Sequence, residues 1–257
     1  MSNLDRAAEP AGVQSVLRAL DVLETLADRP GGSTVADISS STRLPMATTH
    51  RLLRTLVDRG YALQLADRRY ALGLRLVTLG SAANVLLGSG VEAVLRDLVD
   101  ELGETANVAL FTGYQAEYVA QVPSRHSMRM FTELGRRVDL HCTGVGKAML
   151  ARLSADDVAA VVRRRGLPRL TEHTIGTPEE LRAELARITS RGFAVDDEEQ
   201  ELGVRCVAVA IEVANLPWLA VSVSGPTARM TDAVIERAAA LLQGAATRLA
   251  AELDGTR

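Results

Sequence analysis

The sequence predicts an α+β protein: an N-terminal winged helix-turn-helix, a linker helix, and a second α/β domain built on an antiparallel sheet. Three observations predict it. Residues 10–76 read as three short helices and a hairpin, with a tight Leu44-Pro45 turn between the second and third helices. A glycine-serine-glycine stretch at 88–90 then marks a boundary. Beyond it, helical and alternating patterns are interleaved over 91–254.

The elements follow in order. Val13, Val16, Leu17, Leu20, Leu23 and Leu26 fall at helical spacing and predict an amphipathic helix, which the PGG of 30–32 ends. Thr34 offers an N-cap with Asp37 three residues on, and that helix runs to about Ser41. Pro45 suits the first turn of a third helix ending at Gly60. Tyr61, Leu63 and Leu65, a polar Asp67-Arg68-Arg69 turn, then Tyr70 and Leu72 predict a hairpin. Val77–Leu87 reads as the linker helix, with the linker extending over 77–90, and Val91–Leu102 as a separate helix. Strands are expected at Thr105–Leu110, Glu117–Val122, Phe193–Val195, Cys206–Val213 and Leu219–Ser224. A helix opens near Gly146, another runs from Thr177-Pro178-Glu179-Glu180 to Arg191 with Gly192 as its C-cap, and a last one covers Thr231–Leu253.

Composition narrows the function. Net charge is −3, but residues 1–80 carry ten Arg against eight acidic residues, while the remainder carries 19 basic against 24 acidic. The N-terminal part is therefore the end suited to a polyanion. Two cysteines without a CxxC or a Cys/His cluster predict a reduced protein with no structural zinc and no cofactor. The polar start MSNLDRAAEPAG shows no signal peptide, and the apolar run at Val207–Ile211 is too short to span a bilayer. The expectation is a cytoplasmic protein without membrane contact.

On a helical wheel, Thr49, Leu52, Leu53, Leu56 and Val57 of the third helix share one side, and Ala47, Arg51, Arg54 and Asp58 lie opposite. Thr48, His50 and Thr55 flank them. Guanidinium groups read guanine edges or grip phosphates, and Thr does either or meets a thymine methyl. Either arginine alone reads better as an ordinary solvated surface residue. Arg43 before the helix, Arg51 and Arg54 on it, and Arg68 and Arg69 at the hairpin tip form a constellation that favours double-stranded DNA, with His50 supporting the face.

Three stretches stand out in the second domain. In HCTGVGKAML at 141–150, the Gly144 and Val145 amides sit where a helix start can bind an anion. Lys147 there is the chain's only lysine. A P-loop is excluded, because His141 stands where its first glycine belongs and Ala148 cannot ligate magnesium. In VSVSGP at 221–226, Ser222 and Ser224 share one strand face; strand hydroxyls satisfied by neighbouring backbone are the other reading. In RGFAVDDEEQELGVRC, Asp196 is the carboxylate aimed inward, ten residues before Cys206. Asp197, Glu198, Glu199 and Glu201 read as a solvated loop, paired with Arg205 or Arg191, and Asp100, Glu101 and Glu104 as a solvated helix end.

The stretches VQSVLRALDVLETLA, LPMATTHRLLRTLVDRGY, RYALGLRLVTLG, LHCTGVGKAMLA, GFAVDDEEQELGVRCVAVAI and VSVSGPTARMT resemble the IclR family of bacterial transcriptional regulators, in order and at its spacing. The resemblance implies a winged helix joined by a linker helix to a GAF-like effector-binding domain, and a homodimer or dimer of dimers on palindromic operator DNA. SMRMFTELGRRVDLHCTGVGKA is similar to the branch answering glyoxylate, pyruvate and allantoin-pathway signals. By position it implies that Met130, Gly144, Val145, Asp196, Cys206, Ser222 and Ser224 surround a small carboxylate or ureide, and it departs from that branch at Ser127 and at the larger Val145. Chemically, the amides and serine hydroxyls would hold the carboxylate, while Asp196 would accept from a hydroxyl or ureide nitrogen. The expected function is a ligand-responsive regulator, a repressor of a catabolic operon. A GAF-like thiol redox enzyme or sensor using Cys142 and Cys206 is the alternative, and His141 beside Cys142 more simply packs and hydrogen-bonds locally.

Overall fold

Helical spacing carries α1 over Gln14–Ala27, yet only its second half turns the apolar stripe inward. Val22 and Leu26 are buried with Leu23 packed beside them, whereas Val13, Val16, Leu17 and Leu20 stay exposed. The computed structural model describes residues 13–29, 31–130, 133–213 and 218–255, with 83–89 as backbone only. Residues 10–12 of the expected first domain and Pro30 of the PGG stop lie outside the described residues.

Helix α2 (Val35–Thr42) starts at a reciprocal cap: Thr34 Oγ1 accepts from the Asp37 amide, and Asp37 accepts from the Thr34 amide at 3.1 Å. It ends on Arg43, which takes the left-handed conformation usually left to glycine (φ 55°). Ser39 Oγ then donates to the Leu44 carbonyl at 2.6 Å and locks the turn into α3 (Met46–Asp58), with Pro45 as the N-cap. Strands β1 (Ala62–Gln64) and β2 (Tyr70–Leu72) form the hairpin. Val22, Leu26, Ile38, Leu53, Leu56, Ala62 and Tyr70 make the small core of this unit.

Helix α4 (Arg75–Leu102) differs from the sequence reading. It runs unbroken through 88–90, so the linker helix and the Val91–Leu102 helix are one element of 28 residues. Glycine inside a helix costs only about 1 kcal/mol against alanine, which tertiary packing offsets. A Cβ at Gly90 would meet only the end of the flexible Glu252 side chain, which could move aside. The chain divides into two compact units within this helix, one ending at Val85 and the other beginning at Leu86.

The second unit is built on a six-stranded antiparallel sheet in the order β5-β4-β3-β8-β7-β6. Its strands are β3 (Thr105–Phe111), β4 (Gln115–Val122), β5 (Arg137–Asp139), β6 (Ala194–Asp197), β7 (Val204–Ile211) and β8 (Leu219–Pro226). One face carries Val108, Val207, Val209, Val221 and Val223 against α4 and α8 (Asp232–Gly255). The other carries Ala109, Ala194, Ala208 and Ala220, whose small side chains let α5 (Gly144–Leu150) and α7 (Pro178–Arg191) approach. Period-two alternation assigns each residue to its face. The sequence reading omitted β5 and α6 (Ala155–Arg165), although Ser154 caps α6 and Arg163, Arg164 and Arg165 close it. Among the described residues, no helix is long and apolar enough to cross a membrane.

Candidate functional site

In the first unit, burial of Thr49, Leu53 and Leu56 points the opposite edge of α3 outward. His50, Arg51 and Arg54 are exposed there, and Thr48 is half-buried. Arg43, Arg51, Arg54 and Arg68 have no acidic partner among the described residues. Arg69 differs: its Nε lies 2.6 Å from Asp67 Oδ2 and its amide donates to Asp67 Oδ1, so its guanidinium is engaged within its own turn. Arg68 takes φ 67° at the tip and leaves its side chain exposed. The surface thus offers separate cations on a helix edge and a hairpin tip, the pattern suited to a groove and its flanking phosphates.

In the second unit, the alanine-lined sheet face turns polar toward one end. Strand register lines up Asp196, Cys206, Ser224 and Thr105 across β6, β7, β8 and β3. The next row is Ala194, Ala208, Ser222, Asn107 and Gln121. Asp196 therefore belongs to β6 itself rather than to the loop after it. Helix α5 starts directly above: a Cβ on Gly144 would lie 2.9 Å from Cys206 Sγ. Thr143 Oγ1 accepts from the Gly146 amide, while the Gly144 and Val145 amides make no intrahelical bond. The Val145 side chain is buried in the alanine-face core. The Met130 carbonyl accepts from Thr105 Oγ1 at 3.1 Å.

Two donors in these rows are orphaned. Asn107 Oδ1 accepts from Gln121 Nε2 at 3.0 Å, but Asn107 Nδ2 is buried without a partner among the described residues. Ser222 and Ser224 face the Cys206 thiol, yet Ser222 Oγ makes no hydrogen bond of normal geometry. Buried polar groups left unmade are few in folded proteins and call for an explanation. Asp196 Oδ1 accepts from the Glu199 and Gln200 amides at 2.8 and 3.3 Å. Oδ2 has no partner among the described residues. Burial first, then the nearby Glu199 carboxylate, raises Asp196 to about 7.

The acidic run divides differently from the sequence reading. Glu199 is buried, and its Oε1 contacts Lys147 Nζ, itself fully buried on α5. A lysine and a glutamate reach such depth only as partners. Asp197 pairs with Arg205 at 2.8 Å, and Arg191 binds Glu184 instead. Glu104 also departs from expectation: it is buried and bonded by Arg229 Nη2 at 2.9 Å, whereas Asp100 and Glu101 hold exposed pairs with Arg125 and Arg237.

Sequence reasoning missed Thr105, Asn107, Tyr118, Lys147 and Glu199 as site residues. Thr105 and Asn107 show the same i, i+2 pattern as Ser222 and Ser224, which was the available signal. Tyr118 lies close to Cys206 and Asp196, and burial pushes its phenol well above the usual range. Both thiols are buried, and burial pushes Cys142 and Cys206 each up to about 12, so little reactive thiolate exists at neutral pH. His141 Nε2 lies 3.1 Å from the Pro168 carbonyl, and burial lowers its basicity.

A winged helix-turn-helix carried with a sheet domain that buries unsatisfied donors is the build of a transcriptional regulator. The IclR helix-turn-helix domain matches residues 15–66, and the C-terminal domain of bacterial IclR transcriptional regulators matches residues 83–251. The chain is 35% identical over 253 residues to the transcriptional repressor IclR of Escherichia coli (strain K12), covering 95% of this chain and 92% of that one. It is also 35% identical to the HTH-type transcriptional repressor AllR of Salmonella typhi, covering 88% and 85%. The crystal structure of IclR from Thermotoga maritima matches with a TM-score of 0.65 at 30% identity, over 93% of this chain and 98% of that one. The chain belongs to the IclR family of transcriptional regulators.

Proposed function

We propose that this regulator is an effector-responsive repressor: α3 and the hairpin tip hold operator DNA, and the polar rows of the sheet hold a small carboxylate or ureide. The carrying observation is the pair of buried donors without a hydrogen bond among the described residues, Ser222 Oγ and Asn107 Nδ2, on the sheet face that also carries Asp196, whose Oδ2 accepts no hydrogen bond from a described residue. A ligand with acceptors on one side and a donor or a proton-sharing carboxylate on the other satisfies all three groups. Hydrated glyoxylate, pyruvate, allantoin and allantoate fit that description. Arg43, Arg51, Arg54 and Arg68, with Thr48 and His50, are the proposed DNA contacts.

A homodimer, or a dimer of dimers, on a palindromic site follows from the same reading. Val16, Leu17 and Leu20 on α1 and Leu74 and Val77 around the start of α4 are exposed apolar side chains within one unit. Exposed large apolar side chains on such elements are candidates for burial on association. Effector binding represses or releases only if the ligand binds two arrangements of the dimer with different affinity. The test is a thermal-shift series with these four compounds. A ligand at 100 times its Kd stabilises by about 2.7 kcal/mol, and Ser222→Ala with Asn107→Ala is expected to abolish that shift. A ligand that shifts the double variant as strongly as wild type removes this assignment.

A further inference from the structure

We propose that Lys147 and Glu199 act as a positioning pair that fixes whether Asp196 meets the effector as a hydrogen-bond acceptor or as a donor. The inference rests on the effector reading of the polar rows and goes beyond it, because it names what selects the ligand class.

The geometry ties the three residues into one buried unit. Lys147 stands one turn after Gly144 on α5, so the ammonium and the α5 start move together. Its Nζ contacts Glu199 Oε1, and Glu199 Oε2 is buried with no partner among the described residues. The same Glu199 donates its amide to Asp196 Oδ1 at 2.8 Å. Its carbonyl accepts from Thr174 Oγ1 at 2.6 Å, which pins the turn from the other side. The pair therefore joins the two walls of the site, the α5 start and the Asp196 turn, which lie 52 residues apart in sequence.

Few charges face Asp196. From the following turn comes Glu199, from α5 Lys147, from the loop before α5 Cys142, from β7 Cys206 and from β4 Tyr118. Burial keeps the two thiols and the phenol neutral near pH 7. Burial raises Glu199 as well, and its contact with the Lys147 ammonium counters that; paired with Lys147 as a carboxylate, Glu199 favours the protonated form of Asp196, while Lys147 favours its ionised form. Ionised, Asp196 accepts from a ureide nitrogen or a hydrated aldehyde and repels a carboxylate. Protonated, its Oδ2–H donates to a carboxylate oxygen. Carboxylate binding to the ionised form then takes up one proton from solvent onto Asp196, whereas ureide binding takes up none.

The test uses the full-length protein and two probes, pyruvate and allantoin, by calorimetry from pH 5.5 to 8.5. With Asp196 midway near pH 7, pyruvate affinity in wild type is expected to fall roughly 25-fold between pH 6.5 and 8.5, in proportion to the protonated fraction. Allantoin affinity is expected not to fall over that range. The ionisation midpoint of Asp196 is read separately, without ligand, from its carboxyl infrared band, assigned by its loss in Asp196→Asn. Glu199→Gln is expected to move that midpoint down and Lys147→Gln to move it up. A merely structural pair would change stability and leave both midpoints unmoved, or move both the same way, and that result overturns the inference. Should either variant fail to fold, the wild-type pyruvate profile decides: a flat profile overturns the inference equally. Midpoints that move in opposite directions while neither probe binds would uphold the charged unit and sink the effector reading alone.

Discussion

Asp196→Asn removes one titrating group while keeping an oxygen for the Glu199 and Gln200 amides. Asp196 titrates at about 7 in the folded protein against a reference of 3.8, chiefly because it is buried. A carboxyl raised on folding stabilises the folded state while protonated. That contribution is fully present below pH 3.8 and is lost as pH rises through 7. The whole displacement corresponds to about 4 kcal/mol as an upper figure. Over the accessible window from pH 5.5 to 8.5, the same relation gives about 2 kcal/mol. The assay is urea unfolding of both proteins at those two pH values. The Asp196→Asn variant is expected to gain about 2 kcal/mol on wild type between them, because its amide carries no charge to bury. A stability gap that stays the same at both pH values, within about 0.5 kcal/mol, refutes the reasoning.

Gly144→Ala places a methyl 2.9 Å from Cys206 Sγ and 3.4 Å from the Cys206 carbonyl, so α5 must lift from β7. Urea unfolding should show a loss of about 1–3 kcal/mol, and an unchanged midpoint would contradict the close approach. Arg51→Ala and Arg54→Ala remove exposed side chains without acidic partners among the described residues, so thermal unfolding should stay as in wild type while DNA affinity falls. For a phosphate-gripping arginine the salt slope drops by about 1; for a base-reading one the sequence preference relaxes. Leu20→Glu puts a charge on the exposed face of α1, which is 49% exposed at this residue. Sedimentation should show at least about tenfold weaker dimerisation with an intact fold, a change of about 1.4 kcal/mol. Dimerisation as tight as wild type would exclude that face.

The parts legible in the sequence are those fixed by local chemistry. The core edge of α3 follows from the spacing of Thr49, Leu53 and Leu56, and its burial leaves Arg51 and Arg54 outside. The caps at Thr34 with Asp37 and at Thr177 with Glu180 follow from side chains three residues apart. What stayed hidden depends on distant partners. Glu104 looks solvated until Arg229, 125 residues away, supplies its counter-charge. Glu199 sits in an acidic run that composition alone assigns to solvent, and only Lys147 explains its burial. The glycines at 88 and 90 read as a break, yet the helix runs through them, because local propensity is a weak signal that tertiary context overrides. Within the site, Ser222 and Ser224 follow from alternation, while Thr105 and Asn107, one strand away with the same alternation, need the register of β3 against β8 to join them.

If the proposed function is right, occupation of the polar rows controls DNA binding by the winged helix. The most direct measurement is a gel shift on DNA flanking the protein's own gene, titrated with glyoxylate, pyruvate, allantoin and allantoate. Wild type is expected to bind that DNA and to release it with one of these ligands. Ser222→Ala with Asn107→Ala is expected to bind the DNA equally and to stay bound. Release of the double variant at the same ligand concentration as wild type, or DNA binding by wild type that none of the four alters, would contradict the account.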